Sequence, residues 1–308
     1  MKKEAVTYAK PFLKWAGGKS QLLEKLNKLY PYNLKSGTIK KYFEPFVGGG
    51  AVFFDIIQKY KVQSAELYDI NEELILAYKV IQSDVDKLLD YLYRYQKEYI
   101  PLEKSKRKEY YYEMRHHYNL QRFNIDYTNY SESWIPRAAQ IIFLNKTCYN
   151  GLFRFNSLGE FNVPAGDYKN PKILDEENLK LVSQVLDKTE VLLADFEIIT
   201  KRFLSSSFVY FDPPYRPISK TAYFTSYNKK NFNDEDQKRL AKIFKFLDNK
   251  GVKLMLSNSD PKNIHPSDHF FDDLYSDYNI RRIKAKRAIN SVASKRGHIY
   301  EIVVTNYE

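Results

Sequence analysis

Apolar residues in this chain gather in short runs. Residues 42–46, 64–70, 191–194, 208–211 and 252–256 are of strand length and rich in aromatic or aliphatic side chains, as in strands buried on both faces of a sheet. Elsewhere the apolar positions follow a helical period. Leu22, Leu23, Leu26 and Leu29 form one stripe, stopped by Pro31. Residues 51–57 form a second, and residues 234–247 a third behind Asn233 or Asp234 as N-cap. Residues 280–283 and 298–304 close the chain as an antiparallel pair. Strands alternating with helices predict an α/β protein with a Rossmann-like, doubly wound sheet.

Residues 72–174 break this alternation. Residues 88–120 are rich in Lys, Arg, Glu and Tyr and carry a helical pattern; residues 121–137 are polar and loop-like; residues 138–144 are apolar again. Turns follow at Asn150-Gly151 and at residues 156–160. The pattern predicts an inserted, mainly helical domain at 72–174, with the α/β domain made of 1–71 and 175–308.

Two strand ends carry chemistry. The wholly apolar run Phe208-Val209-Tyr210-Phe211 stops at Asp212-Pro213-Pro214-Tyr215, because proline lacks the N–H that a ladder needs and has a fixed φ. A carboxylate, rigid carbonyls and an aromatic ring are thereby presented where α/β sheets bind ligands. Asp212 and the Pro213 carbonyl suit the two hydrogens of a planar amine, and Tyr215 suits the ring that bears it. Phe46-Val47-Gly48-Gly49-Gly50 joins a strand to a helix, and Asp69 ends the next strand, in position for ribose hydroxyls. Phe53 stands where a dinucleotide-binding Gly-x-Gly-x-x-Gly needs its third glycine. Gly17-Gly18-Lys19-Ser20 fails as a P-loop because Leu13 replaces the first glycine. A cofactor with a ribose but no phosphates fits what remains.

Composition narrows the partners. The 308 residues are 44% hydrophobic, enough for a sizeable core, and carry a formal charge of +11. With 27 tyrosines and 20 phenylalanines, this basic, aromatic-rich balance suits phosphate backbones and stacked bases. No run is long and apolar enough for a membrane span, and the charged start Met1-Lys2-Lys3-Glu4 leads into no secretory h-region. The single cysteine, Cys148, excludes an intramolecular disulfide framework and a cysteine-rich zinc site. A cytoplasmic location and no bound metal are expected.

Five motifs occur in order: Pro11-Phe12-Leu13-Lys14-Trp15-Ala16-Gly17-Gly18-Lys19, Phe43-Glu44-Pro45-Phe46-Val47-Gly48-Gly49-Gly50, Tyr149-Asn150-Gly151-Leu152-Phe153-Arg154, Gly159-Glu160-Phe161-Asn162-Val163-Pro164, and Asp212-Pro213-Pro214-Tyr215. From about residue 10 to the C-terminus the chain resembles the DNA adenine methyltransferase (Dam) family, the D12 class of the alpha group, with its Dpn-, Mbo- and Sau3A-type modification relatives. The resemblance implies a Rossmann-like core holding S-adenosylmethionine and a target-recognition insert. Methyl transfer would be to adenine N6 in double-stranded DNA, with the base flipped out of the helix. Asp212, Pro213, Pro214 and Tyr215 would be catalytic. Trp15, Lys19, Glu44, Phe46, Gly48, Gly50, Asp69, Asp195 and Asp212 would bind the cofactor. Lys14, Tyr149, Asn150, Leu152, Arg154 and Pro164 would meet DNA bases, and Arg287, Lys295 and Arg296 the phosphates. A monomer is expected, with a restriction endonuclease as a candidate genetic partner.

The expected site is GATC, but family readers of GATC usually carry Gly-Arg-Tyr-Lys where this chain has Gly166-Asp167-Tyr168-Lys169. Cytosine C5 chemistry would need a nucleophilic cysteine, and Cys148 is far in sequence from Asp212. Asp rather than Ser at position 212 favours adenine over cytosine N4 by family analogy. An inactive DNA-binding module and an RNA or protein-glutamine methyltransferase are the competing readings. The intact Asp69 and Asp212 weigh against the first, and the recognition-type insert against the second.

Overall fold

Strand β4 (Ser207–Phe211) is buried along its whole length because it runs mid-sheet between two parallel neighbours, β1 (Lys41–Glu44) and β5 (Lys253–Ser259). β2 (Ser64–Asp69) pairs with the other side of β1, and β3 (Thr189–Leu193) pairs with β2, all parallel. β6 (Asn279–Lys286) and β7 (His298–Thr305) complete the sheet, β7 lying antiparallel to both β5 and β6. The order is β3-β2-β1-β4-β5-β7-β6. The computed structural model describes residues 7–156, 158–216, 232–286 and 298–308.

The chain leaves β1 toward β2 and β3, then returns to place β4 on the opposite side of β1. That reversal opens a crevice at the C-terminal ends of β1 and β4, the usual ligand position in such sheets. Helices cover both faces. α1 (Leu23–Leu29), α2 (Tyr32–Lys35), α3 (Ala51–Lys59), α4 (Glu72–Tyr99), α5 (Lys104–Gln121), α6 (Trp134–Thr147) and α7 (Glu176–Leu186) precede β4, while α8 (Asp234–Asp248) and α9 (Phe270–Leu274) follow it. One apolar core runs from the sheet through α4 and α6, including Leu67, Ile75, Ile142 and Phe143. A second, on the other sheet face, joins Phe211 and Leu254 to Phe244 and Phe271.

Several boundaries differ from the sequence pattern. The helical stretch expected at 88–120 is two helices. α4 starts at Glu72, capped by Asn71 accepting from the Leu74 N–H, and ends before Pro101, whose missing N–H prevents continuation. The stretch 121–137, expected as loop, contains the start of α6 at Trp134. Pro136 does not prevent this, since the first turn's N–H groups need no intrahelical partner. β1 ends at Glu44, two residues early. β5 continues through Ser257-Asn258-Ser259, expected as a strand end, because β7 supplies an antiparallel ladder for those residues.

Arg137 of α6 is fully buried and ion-paired with Glu73 of α4. Tyr127 donates to the same carboxylate at 2.7 Å, and Arg137 also reaches the Tyr118 carbonyl of α5. A buried guanidinium is tolerated only when satisfied in this way, so the pair ties α5 and α6 to the start of α4. Among the described residues no helix is long and apolar enough to cross a membrane.

Candidate active site

β4 ends in the crevice and aims Asp212 into it. Lys19, on a short helical turn near the N-terminus and 2% exposed, donates to both Asp212 oxygens at 2.6 and 2.7 Å. The same ammonium reaches the Gly17 carbonyl and the Tyr215 hydroxyl, each at 3.0 Å. Burial works against its charge, but Asp212 first, then Tyr215 and Glu301, hold Lys19 above the ordinary lysine range. Burial raises Asp212, opposed by Lys19 and by Ser257. Asp212 keeps 19% of its side-chain surface exposed, so a ligand can approach it from the open side.

The proline segment is braced from behind. Gln237 of α8, fully buried, donates to the Pro214 carbonyl at 3.2 Å and accepts from Asn258 at 3.4 Å. Ser257 shares a 2.6 Å hydrogen bond with Tyr210 and lies 3.4 Å from Asp212. Arg216 bridges Asp234 and Asp268 at 2.7 and 2.6 Å, anchoring the chain just beyond Tyr215. Glu44, buried at the end of β1, accepts from Tyr42 at 2.6 Å, and burial drives its carboxyl well above the usual range.

The glycine loop wraps the other wall. Gly50 caps α3 at φ 70°, and a Cβ there would lie 2.6 Å from the Tyr78 hydroxyl. A Cβ on Gly48 would lie 2.8 Å from the Trp15 ring, so the missing side chain lets Trp15 lie directly on the loop. Asp69 accepts from the Gly48 N–H at 3.1 Å and the Asn71 N–H at 2.9 Å. It is partly exposed, yet enclosed enough that burial pushes its carboxyl up to about 6. Phe46 stacks on Phe196 with centroids 5.2 Å apart, and Phe232 meets Phe46 edge-on at 5.6 Å. Asp195 is exposed beside this cluster; it caps the turn at Glu197 and pairs with Arg239 at 3.2 Å.

The insert meets the same crevice. Asn145, buried near the end of α6, accepts from the Lys14 N–H at 2.9 Å. Its amide donates to the carbonyls of Lys14 and Gly151 at 3.0 and 3.1 Å. The two sequence-distant motifs carrying Lys14 and Asn150 are thereby joined. Trp15 also contacts Phe153, with ring centroids 5.4 Å apart. Lys14, Tyr149 and Pro164 are exposed, and Leu152 and Arg154 half-buried. Asn150 adopts φ 57°, a left-handed conformation that asparagine tolerates better than most residues. Arg154 donates through Nε to Asn162 at 3.0 Å, which directs its guanidinium. Arg287, Lys295 and Arg296 lie outside the described residues.

Asp167 is exposed and pairs with Lys104 of α5 at 2.6 Å. Burial pushes the Cys148 thiol up to about 12, which suits a packed side chain and not a nucleophile. Four residues at the site escaped the sequence reading: Asn145, Gln237, Ser257 and Glu301. Glu301 is a polar residue inside an otherwise apolar run, and Asn145 and Ser257 each follow the last residue of one; that was the available signal. Gln237 lies in a polar stretch and gave none. Among the described residues no cluster of three or more His, Cys, Asp or Glu could hold a metal ion.

A doubly wound sheet with a glycine loop after β1 and Asp-Pro-Pro-Tyr after β4 defines an enzyme of the methyltransferase class. A family model for D12 class N6 adenine-specific DNA methyltransferases matches residues 15–289. The type II methyltransferase M.MjaIII of Methanocaldococcus jannaschii is 52% identical over 299 residues, covering 97% of this chain and 99% of that protein. The type II methyltransferase M1.LlaDCHI of Lactococcus lactis subsp. cremoris is 41% identical over 97% of this chain and 95% of its own. The DNA adenine methylase of Escherichia coli K12 is 30% identical over 95% and 93%. The chain belongs to the D12 class of adenine-N6 DNA methyltransferases.

Proposed function

We propose that this enzyme uses S-adenosylmethionine to methylate adenine N6 at GATC in duplex DNA, acting on a base flipped out of the helix. The observation that carries the reading is the cluster of buried Lys19 with half-buried Asp212 and Tyr215 at the C-terminal end of β4, beside the glycine loop. The chain's own residues fit the cofactor. Gly48 and Gly50 leave room at the start of α3, and Asp69 offers a carboxylate for a ribose diol. Phe46 and Phe196, with Asp195 nearby, suit a purine, and we assign Trp15, Lys19 and Glu44 to the remaining wall. When bound, S-adenosylmethionine supplies an electrophilic methyl group on a sulfonium.

The N6 lone pair of adenine is delocalised into the ring. Asp212 and the Pro213 carbonyl accept its two hydrogens and favour a pyramidal nitrogen with a concentrated lone pair. The carboxylate also sits where positive charge develops, and the proline backbone costs no reorganisation in the transition state. Gln237 holds the Pro214 carbonyl so that this geometry persists. Tyr215 stacks on the flipped base, offsetting part of the few kcal/mol that flipping costs.

We assign residues 1–71 and 175–308 to catalysis and 72–174 to target recognition. The position of the exposed Tyr149 loop beside Lys14 supports this division. Arg154 is proposed to read a guanine, and Tyr149, Asn150, Leu152 and Pro164 to contact neighbouring bases. The Lys104–Asp167 pair offsets part of the charge that replaces the family's arginine. The names of two relatives support a modification enzyme of a type II system. The test is to expose unmethylated DNA to the protein and map methylated adenines by sequencing. Wild type should mark GATC, and Asp212→Asn should mark almost nothing while still binding S-adenosylmethionine in calorimetry. Full methylation by Asp212→Asn would remove Asp212 from catalysis.

A further inference from the structure

Lys19 raises a difficulty for the reading above. An ammonium that holds both oxygens of Asp212 at 2.6 and 2.7 Å leaves lone pairs free for an amine but weakens each as an acceptor. A looser hold by Lys19 would make Asp212 the stronger acceptor for the target nitrogen. A second carboxylate is available for the displaced cation. Glu301 lies on β7, opposite Ser259 of β5 and Ile283 of β6, with its side chain 9% exposed. Among the described residues its Oε2 is buried without a hydrogen-bond partner and lies 4.0 Å from the Lys19 Nζ, while the Tyr215 hydroxyl acts on the same carboxyl and opposes the rise that burial causes. A buried acceptor without a partner is costly, and here it faces the single ammonium that Asp212 occupies.

We propose that Glu301 is a positioning residue for methyl transfer: it is the second seat of the Lys19 ammonium, which moves from Asp212 toward Glu301 as the target amine arrives. The inference rests on Asp212 being the amine's acceptor. A shift of about 1 Å would bring Nζ within charge-assisted hydrogen-bond distance of Oε2. The Gly17 carbonyl and the Tyr215 hydroxyl accept from the same nitrogen and can stay in contact during so small a movement. An ammonium has three donors, so it can exchange one acceptor without leaving the others. The carboxyls around it are Asp212, Glu301 and Glu44. Burial raises each of them, and Lys19 opposes the rise at all three. The cation therefore links their ionisation.

The test is a double-mutant cycle of Glu301→Gln and Lys19→Met, read by single-turnover methylation of a duplex and by calorimetric cofactor binding. Glu301→Gln should slow single-turnover transfer about tenfold to a hundredfold, the scale of a misplaced catalytic group. Its melting curve and cofactor affinity should stay close to those of wild type. The variant should also lose one ionisation from the acid limb of its rate profile, and Glu301→Asp should recover part of the rate. In the Lys19→Met background Glu301→Gln should have no further effect. Wild-type transfer by Glu301→Gln, or an equal loss with and without Lys19, would overturn the proposal. If Glu301→Gln does not fold, the same cycle with Glu301→Asp decides, because the shortened carboxylate should lose rate only when Lys19 is present. An inactive Asp212→Asn beside an unimpaired Glu301→Gln would sink this inference alone, whereas an active Asp212→Asn would sink the reading beneath it.

Discussion

Asp69 ties the backbone of the glycine loop to the proposed cofactor site. It holds the N–H groups of Gly48 and Asn71 and so ties the glycine loop to the end of β2. Burial raises its carboxyl to about 6. The ionised form accepts hydrogen bonds from a ribose diol, while the protonated form loses acceptor capacity. S-adenosylmethionine affinity should therefore be steady above about pH 7 and fall as pH drops through about 6. Asp69→Ala should weaken binding by about 1.5–3 kcal/mol, the scale of a charge-assisted hydrogen bond, and abolish that pH dependence. Calorimetry between pH 5 and 8 checks both, and unchanged affinity in the variant would exclude Asp69 from the site. The acid was legible from its place at the end of a strand. Its raised ionisation was not, because burial depends on what the rest of the chain packs around it.

At the scale of elements, α6 joins the Lys14 segment to the turn at Gly151. Its pattern marked residues 138–144 as apolar, and they are buried. The decisive residue is polar: Asn145 joins the segment through Lys14 to the turn at Gly151. Asn145→Ala would leave three backbone groups without this partner, at a cost of about 1–3 kcal/mol for each that stays buried and unsatisfied. Stability should fall by an amount of that order. Sequence-specific DNA binding should fall further, with S-adenosylmethionine affinity affected least. Thermal melts with parallel gel-shift and calorimetric titrations separate these effects. An equal loss of both ligands would show that Asn145 does no more than stabilise the fold.

The whole molecule combines a formal charge of +11 with a crevice reached from both sheet and insert. Charge supplies affinity for any duplex, whereas specificity needs a directed group. Arg154, oriented by Asn162, is the group we assign to that role. Arg154→Ala should relax selectivity at one base position by about 1–3 kcal/mol. Arg287→Ala, in the basic stretch after β6, should weaken all sequences alike and reduce the salt slope by about one unit. Methylation of a randomised duplex pool, with binding measured at several salt concentrations, distinguishes the two. A loss of base preference in Arg287→Ala would make that stretch a reader of bases.

The sequence by itself determined the alternation of strands and helices, the proline stop after Phe211, the glycine turn into α3 and the acid at the end of β2. Each follows from local chemistry: apolar periodicity, the missing N–H of proline, the steric freedom of glycine. Only the tertiary structure decided that Lys19 lies on Asp212, that Gln237 braces Pro214, that β5 continues through Ser257-Asn258-Ser259, and that Glu301 is buried across the crevice. Those contacts join residues from the N-terminal segment, α8, β5 and β7 that are distant in sequence, and sheet register with helix packing sets their distances. No window along the chain contains both partners, so no local pattern could reveal them.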